Sequence, residues 1–157
     1  MIKYEKSDIN DLNEIIRCRL EFIREDMGPQ TQEDEATISA QLKEYLKNHL
    51  NRDCFVFAAK EEERIISVAF LLILEKPANP RFLHGRIGNI MNVYTVPEKR
   101  RQGIAGNIIE QIKEYAKTVD LDFLELKAAP MGYPLYKKLG FEDVCSRCKE
   151  MTFNWKN

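Results

Sequence analysis

The chain has 157 residues, enough for one domain with a buried core. Its 44% hydrophobic and 31% charged content is that of an ordinary soluble globular protein. A formal net charge of -1 excludes recognition of nucleic acid through overall positive charge and leaves room only for a local basic patch.

The first residues, Met1-Ile2-Lys3-Tyr4-Glu5-Lys6, lack the apolar core of a signal peptide. The longest apolar run, residues 65–74, is interrupted by Ser67 and is too short to span a bilayer. The expected location is therefore the cytoplasm, with no membrane partner. Cys18, Cys54, Cys145 and Cys148 do not amount to a disulfide framework. Cys145-Ser146-Arg147-Cys148 has the spacing of half a zinc site, but there is no second CxxC, and His49 and His84 stand alone. No metal is expected.

In chain order, Ile2 and Tyr4 alternate with lysines as a short strand. Ser7-Asp8 offers a helix cap, and Ile9, Leu12, Ile16, Leu20 and Ile23 recur at helical spacing to about Arg24. Met27-Gly28-Pro29 ends that helix. A second follows, capped by Thr31 or Thr37, with Ile38, Leu42, Tyr45, Leu46, His49 and Leu50 on one face. His49 reads as a packing residue at its edge. The acidic run Glu33, Asp34, Glu35 reads as a solvated surface or as an attractor for a cationic substrate.

Residues 54–59 and 65–74 are strands joined by a short polar link, hence an antiparallel hairpin. A loop from Lys76 to about Gly85 is long enough to be functional. Residues 86–96 form the next strand. Without a bulge, Ile87, Met91, Val93 and Thr95 share one face, and Ile90, Asn92, Tyr94 and Val96 the other. Asn89 and Asn92 are unusual there; they either satisfy backbone groups at a bulge or face a ligand.

The next stretch is the most informative. The strand runs through Val93-Tyr94-Thr95-Val96 into Pro97-Glu98-Lys99-Arg100-Arg101-Gln102-Gly103-Ile104-Ala105-Gly106, and a helix follows at once. Small residues at 103, 105 and 106 leave backbone N–H groups pointing outward at the positive end of a helix dipole, which suits a phosphate or pyrophosphate. Arg100 and Arg101 add charge beside it. Equally, the glycines permit a tight turn and nothing more. The helix pattern continues through Ile108, Ile109, Ile112, Tyr115, Ala116 and Val119. Residues 121–128 then read as a strand, parallel to its predecessor through a right-handed crossover. Pro134 and Gly140 bracket a short helix, and residues 141–144 and 148–155 read as a final pair of strands. There are no repeats and no linker, so residues 1–157 are expected to form a single domain.

Arg100-Arg101-Gln102-Gly103-Ile104-Ala105 resembles the R/Q-x-x-G-x-G/A coenzyme A signature of the GCN5-related N-acetyltransferases (GNAT), and Leu135-Tyr136-Lys137-Lys138-Leu139-Gly140-Phe141 resembles that family's LYxKLGF segment. The resemblance implies an α/β (α+β) fold: a mixed, mostly antiparallel central sheet of six to seven strands, about four flanking helices, and a splay between the two parallel central strands. It implies acetyl-CoA as acyl-donor cosubstrate, with Arg100, Arg101, Gln102, Gly103, Ile104, Ala105 and Gly106 at the pyrophosphate and Val93, Tyr94 and Thr95 along the pantetheine arm. It makes Tyr136 the acid that protonates the leaving thiolate. Glu125 is a candidate base, with Glu21, Glu25 and Asp26 as further candidates. An asparagine common in relatives before the tyrosine segment is absent, the residues here being Ala128, Ala129, Pro130 and Met131.

The expected reaction is transfer of acetyl from acetyl-CoA to a primary amine by direct attack in a ternary complex. The amine belongs to a small molecule or a protein, and a homodimer is compatible with the reading. A non-catalytic coenzyme A-binding module is the alternative. A protein holding another phosphate ligand in the turn is a third reading, although no G-x-x-x-x-G-K-[ST] occurs to support nucleoside triphosphate hydrolysis.

Overall fold

A computed structural model describes residues 1–156. Its elements are β1 (Ile2–Lys6), α1 (Leu12–Met27), α2 (Gln32–His49), β2 (Cys54–Glu61), β3 (Arg64–Glu75), β4 (Arg86–Thr95), α3 (Ile104–Thr118), β5 (Leu124–Leu126) and α4 (Tyr133–Lys138). They divide into two compact units, Met1–Lys127 and the residues from Ala128 onward.

In the first unit the strands lie in the order β1-β2-β3-β4-β5, antiparallel except for the parallel pair β4 and β5. Residues 54–60 of β2 are all buried, the pattern of a strand covered on both faces. Phe55 and Phe57 meet Tyr115 of α3 at ring-centroid distances of 5.0 and 5.7 Å. Cys54, one residue out of phase, faces Tyr45 of α2 instead. Because successive side chains of a strand point to opposite faces, α3 covers one side of the sheet and α1, with α2 packed on it, the other. The predicted apolar stripe of α3 is its buried face: Ile104, Ile108, Ile109, Ile112 and Ala116.

Local chemistry sets the helix starts. Asp8 accepts the Asn10 N–H at 2.8 Å and caps a short 3-10 turn that leads into α1, which runs one turn beyond the expected end to Met27. Thr31, rather than Thr37, caps α2 through the Asp34 N–H at 3.0 Å. The acidic run 33–35 is thereby the first turn of α2, where the helix dipole favours negative charge. Glu35 also grips Arg24 of α1 with two contacts of 2.7 Å.

The strand count departs from expectation: five strands are formed among the described residues, not six to seven. Residues 141–144 and 148–155 make no ladder, and the apolar side chains that alternate there stay exposed, Met151 at 92% and Trp155 at 90%. An alternating pattern becomes a strand only where a neighbour accepts its backbone. β5 is likewise shorter than the predicted 121–128. Asp122 takes the His84 and Arg86 N–H groups on its carboxylate, at 3.1 Å to Oδ2 in each case, and its own N–H goes to Arg86 O. It thus ties the end of the 76–85 loop to the start of β4 instead of extending a ladder.

One ion pair positions α1 against the sheet. Arg17 donates to Glu14 (Nε to Oε2, 2.9 Å) and to Ile65 O (2.7 Å), while Glu14 Oε1 accepts the Ile65 N–H at 2.8 Å. The Arg17 hydrogen bond holds the Glu14 carboxyl below its ordinary range. A carboxylate depressed in the folded state contributes stability that is full above its unfolded pKa, about 4.3, and lost as pH falls through the lower folded value. Urea midpoints measured from pH 6 down to pH 3 are expected to fall less steeply for Glu14→Gln than for wild type. Parallel curves would assign the acid sensitivity elsewhere.

Candidate functional site

The site begins with a discontinuity in β4. Phe70 pairs with Met91 and Val68 with Tyr94, so two residues of β4, Asn92 and Val93, stand opposite Ala69 alone. This is a β-bulge, and Asn92 adopts φ +53°, which asparagine tolerates better than most residues. On the other edge, β5 pairs with β4 only from Gly88 to Ile90. Beyond Ile90 the two parallel strands part. The Val96 N–H reaches Ile66 O at 2.9 Å, and the alternation of an antiparallel ladder then turns the N–H and C=O of Thr95 toward the open edge. There the Thr95 carbonyl accepts Arg100 Nε at 2.8 Å.

After β4, Pro97–Lys99 makes a 3-10 turn, and Arg101 (φ +63°) and Gly103 (φ +78°) both enter the left-handed region. The first return bond of α3 is Asn107 N–H to Gly103 O at 3.1 Å. The amides of residues 101–106 consequently have no acceptor among the described residues, and no side chain caps the helix. A Cβ built on Gly103 meets nothing within 4 Å, so nothing packs against the turn at that residue. Side chains of Arg101 and Gln102 are exposed, Ile104 is buried in the core, and Ala105 and Gly106 are half-buried. This arrangement is chemically suited to an anion with several oxygens.

Arg100 plays a different part from Arg101. Its guanidinium bonds Glu25 at 2.6 Å and Thr95 O, and lies 5.6 Å over the Tyr94 ring. It therefore fastens the turn to α1, and the positive charge left free beside the amides is that of Arg101. Two of the α1 candidates are also committed: Glu21 accepts from Arg17 at 2.8 Å and from the Tyr94 hydroxyl at 2.9 Å, and Glu25 holds Arg100, while Asp26 is exposed at the end of the helix. Burial and the Glu21 hydrogen bond push the Tyr94 phenol up to about 12. Glu125 is exposed on β5, opposite Asn89 of β4, whose Nδ2 donates to it at 3.3 Å. Arg19 of α1 donates to Oδ1 of the buried Asn92 at 3.1 Å, a contact no sequence pattern announces.

In the second unit, α4 ends in a Schellman motif. The Phe141 N–H bonds Tyr136 O at 2.9 Å, the Gly140 N–H bonds Lys137 O at 3.1 Å, and Gly140 has φ +96°. The accompanying apolar contact is Tyr136 against Phe141, rings 6.0 Å apart and edge to face. Tyr136 is 8% exposed, and burial raises its phenol above the ordinary value. Its ring lies so close to Gly132 that a Cβ there would sit 2.9 Å from it. The LYKKLGF segment is thus a device for fixing one tyrosine. Among the described residues no helix is long and apolar enough to cross a membrane, and no group of three or more His, Cys, Asp and Glu is placed to hold a metal ion.

The profile of the family described as acetyltransferase (GNAT) domain matches residues 23–155. The chain belongs to the GNAT acetyltransferase family. A predicted acetyltransferase of Clostridium acetobutylicum, solved with acetyl-CoA, is 30% identical, with 97% of this chain and 96% of that one covered and a TM-score of 0.84. A GCN5-related N-acetyltransferase of Ralstonia eutropha JMP134 shares the fold at 22% identity, with 96% and 99% covered and a TM-score of 0.80. Glucosamine-6-phosphate N-acetyltransferase of Arabidopsis thaliana does so at 17% identity, with 96% and 98% covered and a TM-score of 0.67. A search of curated proteins found no match.

In this GNAT acetyltransferase, Gly140→Ala meets no steric obstacle but must hold a Cβ at φ +96°. The cost is about 1–2 kcal/mol. A lowered midpoint of thermal unfolding is expected; an unchanged midpoint would show that the motif does not hold α4.

Proposed function

We propose that the protein is an acetyl-CoA-dependent N-acetyltransferase that joins donor and amine in one ternary complex, the whole chain serving as one catalytic domain. What carries the reading is the row of unpartnered amides at residues 101–106, set directly after a strand with an open edge. Those amides and the Arg101 side chain bind the pyrophosphate. Val93, Tyr94 and Thr95 line the pantetheine arm, which takes the place of the strand that β5 fails to supply. Arg100 holds the turn in register through Thr95 and Glu25.

Glu125 is proposed as the base. Glu21 and Glu25 already serve as acceptors for Arg17 and Arg100, whereas Glu125 is exposed and held only by a neutral amide. It takes a proton from the ammonium, and the amine nitrogen attacks the thioester carbonyl. The C–N bond forms, the C–S bond breaks, Tyr136 delivers its phenolic proton to the departing sulfur, and the second proton lost by the amine nitrogen passes to solvent, from which Tyr136 is reprotonated. A phenol raised by burial keeps that proton at neutral pH until the sulfur becomes charged. No enzyme nucleophile is required, and burial pushes the thiols of Cys18 and Cys54 up to about 12 and about 11, away from reactivity.

Acetyl-CoA at a hundredfold its Kd is expected to stabilise the fold by roughly 2.7 kcal/mol, read as a rise in melting temperature. Gly103→Val should abolish the rise, and Gln102→Ala should leave most of it, because the amides bind and the Gln102 side chain does not. No rise with wild type, together with no calorimetric binding, would refute the reading. Tyr136→Phe should lower kcat about a hundredfold or more while changing acetyl-CoA affinity little. Equal losses in both would make Tyr136 structural. Binding of acetyl-CoA without transfer to any amine would favour the non-catalytic module.

A further inference from the structure

Every arginine of α1 but one has a carboxylate partner. Arg17 has Glu14 and Glu21, and Arg24 has Glu35. Arg100, which reaches α1 from the turn, has Glu25. Among the described residues Arg19 has no carboxylate within ion-pairing distance, although it is half-buried. Burial draws its guanidinium below the ordinary value with no compensating anion. Its one recorded partner is the neutral Oδ1 of Asn92.

A guanidinium has five N–H donors and no acceptor, and Asn92 Oδ1 uses only one of its nitrogens. Asn92 is itself 3% exposed, and its Nδ2 has no hydrogen-bond partner. Two buried or half-buried side chains therefore bring donors together at the bulge with a single acceptor between them. Leaving polar groups in that state costs stability, and cationic donors cost more than neutral ones. Such a cost is offset when the missing acceptor arrives with a ligand. The position bears on which ligand: Asn92 immediately precedes Val93 and Tyr94, which the proposed function places along the acyl-bearing arm.

We propose that Arg19, oriented by Asn92, is a specificity determinant that binds an anionic group on the acceptor, so that the substrate class is a primary amine carrying a carboxylate or phosphate. The inference rests on the acetyltransferase reading above. The planar fork of arginine suits either oxyanion, since both present two oxygens at matching spacing. Neutral amines would leave the guanidinium as unpaired as it is without ligand.

The test is acetyl transfer, followed by thiol release, over matched pairs of acceptors that differ in the anion alone. Glycine is compared with glycinamide, tyrosine with tyramine, and phosphoethanolamine with ethanolamine. Wild type is expected to favour the anionic member of at least one pair by about tenfold to a hundredfold in kcat/KM, the span of a charge-assisted hydrogen bond formed only with that substrate. The amino-acid pairs against the phosphate pair distinguish the two sources of the anion. Arg19→Met should bring the favoured ratio to near one, and Arg19→Lys should retain part of it, so the second variant decides the matter if the first does not fold. Neutral acceptors used as well as or better than their anionic partners, or a ratio unchanged in both variants, would overturn the inference while leaving the acetyltransferase reading in place. Transfer to none of the small amines would also overturn the inference, while the acetyltransferase reading is judged separately, by acetyl-CoA binding and by transfer to protein amines.

Discussion

A buried strand must place its backbone N–H and C=O groups, and β4 does so on only one edge past Ile90. The bulge, the turn and the tie to α1 are arranged around that open edge. The bulge at Asn92 increases the local twist where β5 departs. Thr95 then sends its carbonyl outward to Arg100, and Arg100 in turn reaches Glu25. The edge, the turn and α1 are therefore linked by hydrogen bonds and do not merely adjoin.

The turn completes the geometry by the opposite means. A helix N-terminus leaves donors unpaired unless a side chain caps it. Asp8 caps the 3-10 turn that leads into α1, and Thr31 caps α2. Before α3 the chain places a left-handed glycine with no cap. A strand lacking acceptors and donors on one edge, leading into a helix lacking acceptors at its start, is open to a ligand that is extended at one end and polyanionic at the other. Coenzyme A has that shape and that charge. In the proposed function backbone amides make most of that contact, with Arg101 as the added side chain, which is why small residues and backbone torsions dominate the turn.

Much of this was legible in the sequence wherever the signal is local. Helix α3 shows its buried face as a periodic pattern, and Asp8, Pro134 and Gly140 mark helix ends by their own chemistry. The glycine turn and the tyrosine segment carry the family resemblance for the same reason. What depends on a distant partner was not legible. Residues 148–155 alternate as a strand does, yet no neighbouring backbone accepts them among the described residues. Asp122 lies in a stretch of strand-like content and instead ties off two amides 36 and 38 residues away. Glu33 and Asp34 of the acidic run are exposed, as a solvated surface is, but Glu35 is taken by Arg24 of the preceding helix. Arg19 meets Asn92 across 73 residues, and nothing beside either in sequence foretells the contact.

The role of the turn is tested most directly by titrating isotopically labelled protein with coenzyme A and following its backbone amide resonances. The N–H groups of residues 101–106 should shift together, with one saturation curve, as they gain acceptors, and the Thr95 amide on the open edge should move with them. Resonances of those residues that stay in place while others saturate would show that the polyanion binds elsewhere, and that the row of unpaired amides is only a tight turn between a strand and a helix.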